Sequence, residues 1–201
     1  MIYITLDYKS IFFINLKCCY SSFNDMEKEK KVIRLNIGWD NSKLDTNILN
    51  NICPDVKLYL IMRCPYSRIC SFYQDKFVEC FKSEPKKNTQ LCQNIMYKYY
   101  SEETISTGNF SISDMISAIK DGYFDDHIRL QTDILKHNIF VNEVNIIKLE
   151  DLDFNTILKS ILGYDMPHMN SSGGEKIDML TPELKEFLYE YYKPDFDLYN
   201  K

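Results

Sequence analysis

Two short stretches of this chain carry residue types that together can hold an anion. The first is Lys17-Cys18-Cys19-Tyr20-Ser21-Ser22, which directly follows the apolar run IFFINL, residues 11–16. A turn into a helix at that point presents an ammonium, two hydroxyls and successive backbone N–H groups to one negative charge. The second opens at Arg63, directly after the apolar run KLYLIM (57–62), and reaches Ser71 through Pro65 and Arg68. Folding the loop between Arg63 and Ser71 brings a guanidinium and a hydroxyl onto a second anion. Taken singly, a lysine at a strand end is usually solvated, and an Arg-x-Pro turn is usually a helix entry. The conjunction says more, because in an open parallel sheet both loops leave the edge where ligands bind. Three histidines, 127, 137 and 168, supply the side chains best suited to move a proton near neutral pH.

The elements that must position these residues follow from hydrophobic patterning. IFFINL, VIRLNI (32–37), KLYLIM and VNIIKL (144–149) read as buried strands, and segments of helical length such as KLDTNILNNI (43–52) separate or follow them. Strand alternating with helix predicts an α/β fold with a parallel sheet flanked by helices, in a single domain over residues 1–201. A helix beginning at Pro65 would carry Ile69, Phe72, Tyr73 and Phe77 on an apolar stripe, with Arg68, Ser71 and Asp75 on another face. Further helices are expected over SDMISAIK, over FDDHIRLQTDILK, over DLDFNTILKSIL with Gly163 as its stop, and over TPELKEFLYEYY from a Thr181 cap with Pro182 in the first turn. The polar stretch 83–112 reads as a surface excursion.

Composition excludes several classes. A net charge of -5 argues against general nucleic-acid binding, which needs a cationic face. The six glycines lie at 38, 108, 122, 163, 173 and 174, so the first loop contains no GxxxxGK[ST] and a Walker-type ATPase is excluded; a nucleoside kinase is disfavoured for the same reason. Seven cysteines with no CxxC pair give no zinc signature and suggest reduced thiols. No apolar run approaches the roughly 20 residues that span a bilayer, and MIYITLDYKS lacks the features of a signal peptide, so a cytoplasmic location is expected.

The run Arg63-x-Pro65-x-x-Arg68-x-x-Ser71-x-Tyr73, continuing to Lys76-Phe77, resembles the 3′-phosphate motif of carbohydrate (Golgi-type) sulfotransferases that use 3′-phosphoadenosine 5′-phosphosulfate (PAPS). Lys17 to Ser22 is similar to that family's 5′-phosphosulfate loop, and HIRLQ (127–131), IIKLEDL and LTPELKEFLYEYYKPDFDLY resemble further family stretches, so the likeness runs from about residue 10 to 199.

The resemblance implies a P-loop-kinase-like sulfotransferase fold and transfer of a sulfuryl group from PAPS to a hydroxyl, with a glycan as the expected acceptor and no metal. It assigns Arg63 and Ser71 to the 3′-phosphate. Lys17, Cys18, Cys19, Tyr20, Ser21 and Ser22 fall to the 5′-phosphosulfate. Lys17 would also stabilise charge on the bridging oxygen. His127 becomes the candidate base, with Asp125 and Asp126 to orient its ring and raise its basicity. Where some relatives carry a histidine after the second strand, this chain reads Ile37-Gly38-Trp39-Asp40, which leaves Asp40 or Glu79 as alternative bases. A loop containing Ser171, Ser172, Gly173, Gly174 and Lys176 would correspond to one that closes over the nucleotide. A binding module of the same fold without transfer activity is the alternative function.

Overall fold

The computed structural model describes residues 1–35, 55–79, 111–124, 126–136, 144–167 and 174–201. Five strands form one sheet: β1 (Ile2–Thr5), β2 (Ser10–Ile14), β3 (Val32–Leu35), β4 (Lys57–Met62) and β5 (Val144–Lys148), in the spatial order β3-β1-β2-β4-β5. The helices are α1 (Tyr20–Lys28), α2 (Pro65–Tyr73), α3 (Ile112–Lys120), α4 (Asp133–Lys136), α5 (Phe154–Leu162), α6 (Pro182–Tyr191) and α7 (Lys193–Tyr199). All four expected strands form, and β2, β4 and β5 pair parallel.

The sheet is nevertheless mixed, which corrects the all-parallel expectation. Residues Ile2–Thr5 make a strand that the sequence reading passes over. It lies antiparallel to both β2 and β3 and separates them. A tight turn closes the β1–β2 hairpin: the Thr5 hydroxyl and the Lys9 N–H both donate to Asp7 Oδ1, at 2.7 and 3.1 Å, and Tyr8 takes a left-handed φ of 58°. An aspartate that bonds its own backbone two residues on is a turn signal, and it was present in the sequence.

The described residues divide into two compact units. The first comprises residues 1–64, 130–171 and 194–201 and contains the whole sheet. On one sheet face Tyr3, Phe12, Ile14, Ile61 and Ile147 pack with Phe23 and Met26 of α1 and Phe154 and Leu158 of α5. On the other, Ile2, Ile4, Ile11, Phe13, Leu58 and Leu60 pack with Ile134 and Leu135 of α4 and Leu198 of α7. The alternation along each strand divides its side chains between the two faces. From β2 the chain crosses through α1 to β3 on one side, whereas from β4 it reaches β5 on the other side. Right-handed crossovers in opposite directions place their helices on opposite faces, and the strand order reverses between β2 and β4.

The second unit, residues 65–129 and 172–193, is helical among its described residues. Ser111 caps α3 in a reciprocal capping box with Asp114. Thr181 caps α6 with Pro182 in its first turn, as the sequence predicts, and Gly163 ends α5 in the first unit with φ 82°. Helix α2 departs from expectation: Arg68 and Ser71 are buried together with its apolar stripe, so it is not a half-exposed amphipathic helix. The long helix expected over FDDHIRLQTDILK is also reduced to Asp133–Lys136. The N–H groups of Gln131 and Thr132 donate to Asp195, so tertiary partners take bonds a longer helix would have used. KLDTNILNNI, Asp40, residues 83–110, His137, His168 and Ser171 to Gly173 lie outside the described residues.

Candidate functional site

Both candidate stretches leave the carboxyl tips of adjacent parallel strands, β2 and β4, where the strand order reverses. Arg63 Nη1 donates to the Lys17 carbonyl at 3.3 Å, so the guanidinium of one loop lies against the backbone of the other. Arg63 is only 7% exposed, which makes it a fixed charge rather than a roaming one. Its Nε lies 3.7 Å from Glu150 Oε1. Glu150 also accepts from the Cys64 N–H through both oxygens, at 3.1 Å each, and from the Tyr199 hydroxyl at 3.0 Å. Burial first, and then the Glu150 charge, push the Tyr199 hydroxyl well above the ordinary tyrosine range.

The first loop is shaped by backbone strain. Lys17 (φ 67°) and Cys19 (φ 54°) are both left-handed without being glycine, each at a cost of about 1 kcal/mol, and they bracket Cys18. The Cys18 N–H between them donates to the Asn15 carbonyl at 3.1 Å and closes the turn that leaves β2. Cys19 is the N-cap of α1 but makes no side-chain cap bond, and no acidic residue lies in the first turn. The N–H groups of Tyr20, Ser21 and Ser22 therefore open α1 without a carboxylate competing for them. Ser21 is exposed, Ser22 is buried and Lys17 is half-buried. Burial, then the adjacent Cys18, push the Cys19 thiol well above its ordinary value.

Gln131, fully buried, joins the two loops. Its side-chain Oε1 accepts from the Arg63 N–H at 2.8 Å and from Cys18 Sγ at 3.1 Å. Its Nε2 donates to the Arg63 carbonyl at 2.8 Å, and its own carbonyl accepts from Asn15 Nδ2 at 3.0 Å. Asp195, also fully buried, holds the same segment by accepting from the Gln131 N–H (2.7 Å), the Thr132 N–H (2.9 Å) and the Thr132 hydroxyl (2.9 Å). Sequence reasoning missed Gln131, Asp195 and Glu150 as parts of this site. Their contacts span 49 to 116 positions of chain, and no local pattern signals such pairings.

Lys17 to Ser22 and Arg63 thus meet within the first unit, whereas Ser71 and His127 belong to the second. Ser71 is buried in α2. The His127 ring stacks on Phe72, with centroids 5.5 Å apart and planes inclined by 24°. Asp126, expected to orient that histidine, instead faces Arg129 at 3.4 Å, and Asp125 lies outside the described residues. Glu79 ends a π-helical turn, Gln74–Glu79, that continues α2. Among the described residues no helix is long and apolar enough to cross a membrane. Compared with protein-family models, curated proteins and solved structures, the chain matches none.

Proposed function

We propose that the crevice between the tips of β2 and β4 holds the phosphates of PAPS, and that the chain transfers its sulfuryl group to an acceptor hydroxyl, with a glycan as the acceptor class. The observation that carries this reading is the 3.3 Å bond between the Arg63 guanidinium and the Lys17 carbonyl, which brings two cation-bearing loops together at the topological switch point. The strained loop and the acid-free opening of α1 support an anion at the same place.

In the proposed reaction the acceptor oxygen forms a bond to sulfur while the bond from sulfur to the bridging phosphate oxygen breaks. Adenosine 3′,5′-bisphosphate departs, and the acceptor proton passes to a base. Lys17 and the N–H groups opening α1 hold the 5′ end and offset charge on the leaving oxygen, and Arg63 holds the 3′-phosphate. Ser71 as a second 3′-phosphate ligand and His127 as the base rest on the motif alone. The alternative, a nucleotide-binding module without turnover, draws support from Glu150, whose carboxylate already partners Arg63 at 3.7 Å.

Calorimetry with adenosine 3′,5′-bisphosphate, followed by transfer of radiolabelled sulfate to a glycan panel, tests both readings. Binding with turnover that Lys17→Ala reduces by at least about 100-fold is the expected result. Binding without turnover on any acceptor favours the module, and absence of binding removes both.

A further inference from the structure

We infer that Gln131 is a positioning residue that sets the distance between the two anion-holding loops, and so selects a ligand with two separated anionic groups over one with a single anionic end. The inference rests on the proposed nucleotide reading for the identity of the ligand and on the hydrogen bonds for everything else.

The side-chain amide of Gln131 pairs with both backbone groups of Arg63, donor to carbonyl and acceptor to N–H, each at 2.8 Å. This is the pattern a neighbouring strand would supply, and it holds the chain just beyond the end of β4 in place. The same Oε1 receives the Cys18 thiol at 3.1 Å, and the Gln131 carbonyl receives Asn15 at the end of β2. One buried residue therefore references the Arg63 loop and the Lys17 loop to a common point, and Asp195 fixes that residue in turn through its N–H at 2.7 Å. A glutamate here would lose the donation to the Arg63 carbonyl and bury a charge.

A residue that fixed only the fold would weaken every ligand alike. A residue that fixes the span between two pockets acts mainly on ligands that use both, because the second contact of a two-ended ligand depends on the geometry left by the first. The experiment is calorimetry on the full chain with two probes, adenosine 3′,5′-bisphosphate and adenosine 5′-phosphate, for the wild type, Gln131→Met and Asn15→Ala, with thermal unfolding as the check on folding.

Gln131→Met is expected to weaken the bisphosphate by about 30-fold and the monophosphate by less than about threefold. Equal losses for the two probes overturn the inference. If Gln131→Met does not fold, Asn15→Ala decides, since it removes the donor to the Gln131 carbonyl, another arm of the same bridge, at a residue assigned to neither phosphate: about fivefold on the bisphosphate against less than twofold on the monophosphate is expected, and equal losses overturn it. A wild type that binds the bisphosphate no tighter than the monophosphate defeats the nucleotide reading itself, and this inference with it.

Discussion

The two ends of the β2–β4 strand pair are built differently. At the amino end a groove of about 980 Å³ is lined by Asp7, Lys9, Asp55, Lys57, Tyr59 and Ser160 among others. Its charged groups are exposed and of both signs; bonds within the Thr5–Ser10 turn order one wall, and the Lys57 N–H donates to the Lys9 carbonyl across the strands at 2.9 Å. At the carboxyl end Gln131, Asp195 and Arg63 are buried, and their bonds join segments far apart in sequence. The carboxyl end is the one whose polar side chains are fixed by burial. A ligand site needs groups held in place before the ligand arrives, and burial with long-range bonding supplies this, whereas volume does not.

Removing one cation from each end breaks or sustains that contrast most sharply. Arg63→Ala is expected to weaken adenosine 3′,5′-bisphosphate by about 100-fold, whereas Lys57→Ala leaves its affinity within about twofold, as measured by calorimetry. Similar losses at both ends would mean that the chain binds phosphates by diffuse charge alone.

The two aspartates that organise each end give the next largest difference. Asp195 accepts three hydrogen bonds while fully buried, so Asp195→Ala should cost about 3 kcal/mol in urea unfolding. Asp7 accepts two bonds in an exposed turn, and Asp7→Ala should cost only a few tenths of a kcal/mol. The Thr5 hydroxyl, and then the Lys9 N–H, hold the Asp7 carboxyl below its ordinary value. Its small contribution is therefore present above the usual aspartate pKa and is lost as pH falls through the lowered one.

A third effect concerns the core shared by both ends. The buried Tyr3 hydroxyl has no hydrogen-bond partner among the described residues, and burial, followed by the nearby Tyr20, pushes it well above the ordinary tyrosine range. Tyr3→Phe should therefore stabilise the fold by about 1 kcal/mol near neutral pH. A group whose folded pKa is raised contributes stability that is complete below its unfolded pKa, about 10 for tyrosine, and is lost as pH rises beyond it. Thermal melts from pH 9 to 11 should accordingly fall less steeply for Tyr3→Phe than for the wild type.

What the sequence determined by itself is what depends on neighbours along the chain. Buried strands announce themselves as short apolar runs, α5 stops where Gly163 can take a left-handed turn, Thr181 and Pro182 open α6, and Lys17 and Arg63 stand directly after strands whose ends therefore carry cations. Tertiary structure decided the rest. It inserted β1 antiparallel into a sheet that reads as parallel, since hairpin and crossover strands share the same apolar composition. It buried Arg68 and Ser71 in a helix whose spacing suggests an exposed face, and it shortened α4 by giving the N–H groups of Gln131 and Thr132 to Asp195. It also made Gln131 the joint between Cys18, in the loop after β2, and Arg63, after β4. A hydrogen bond across more than a hundred residues leaves no periodicity to read, because its partners are chosen by how the sheet and helices pack and not by their spacing in the chain.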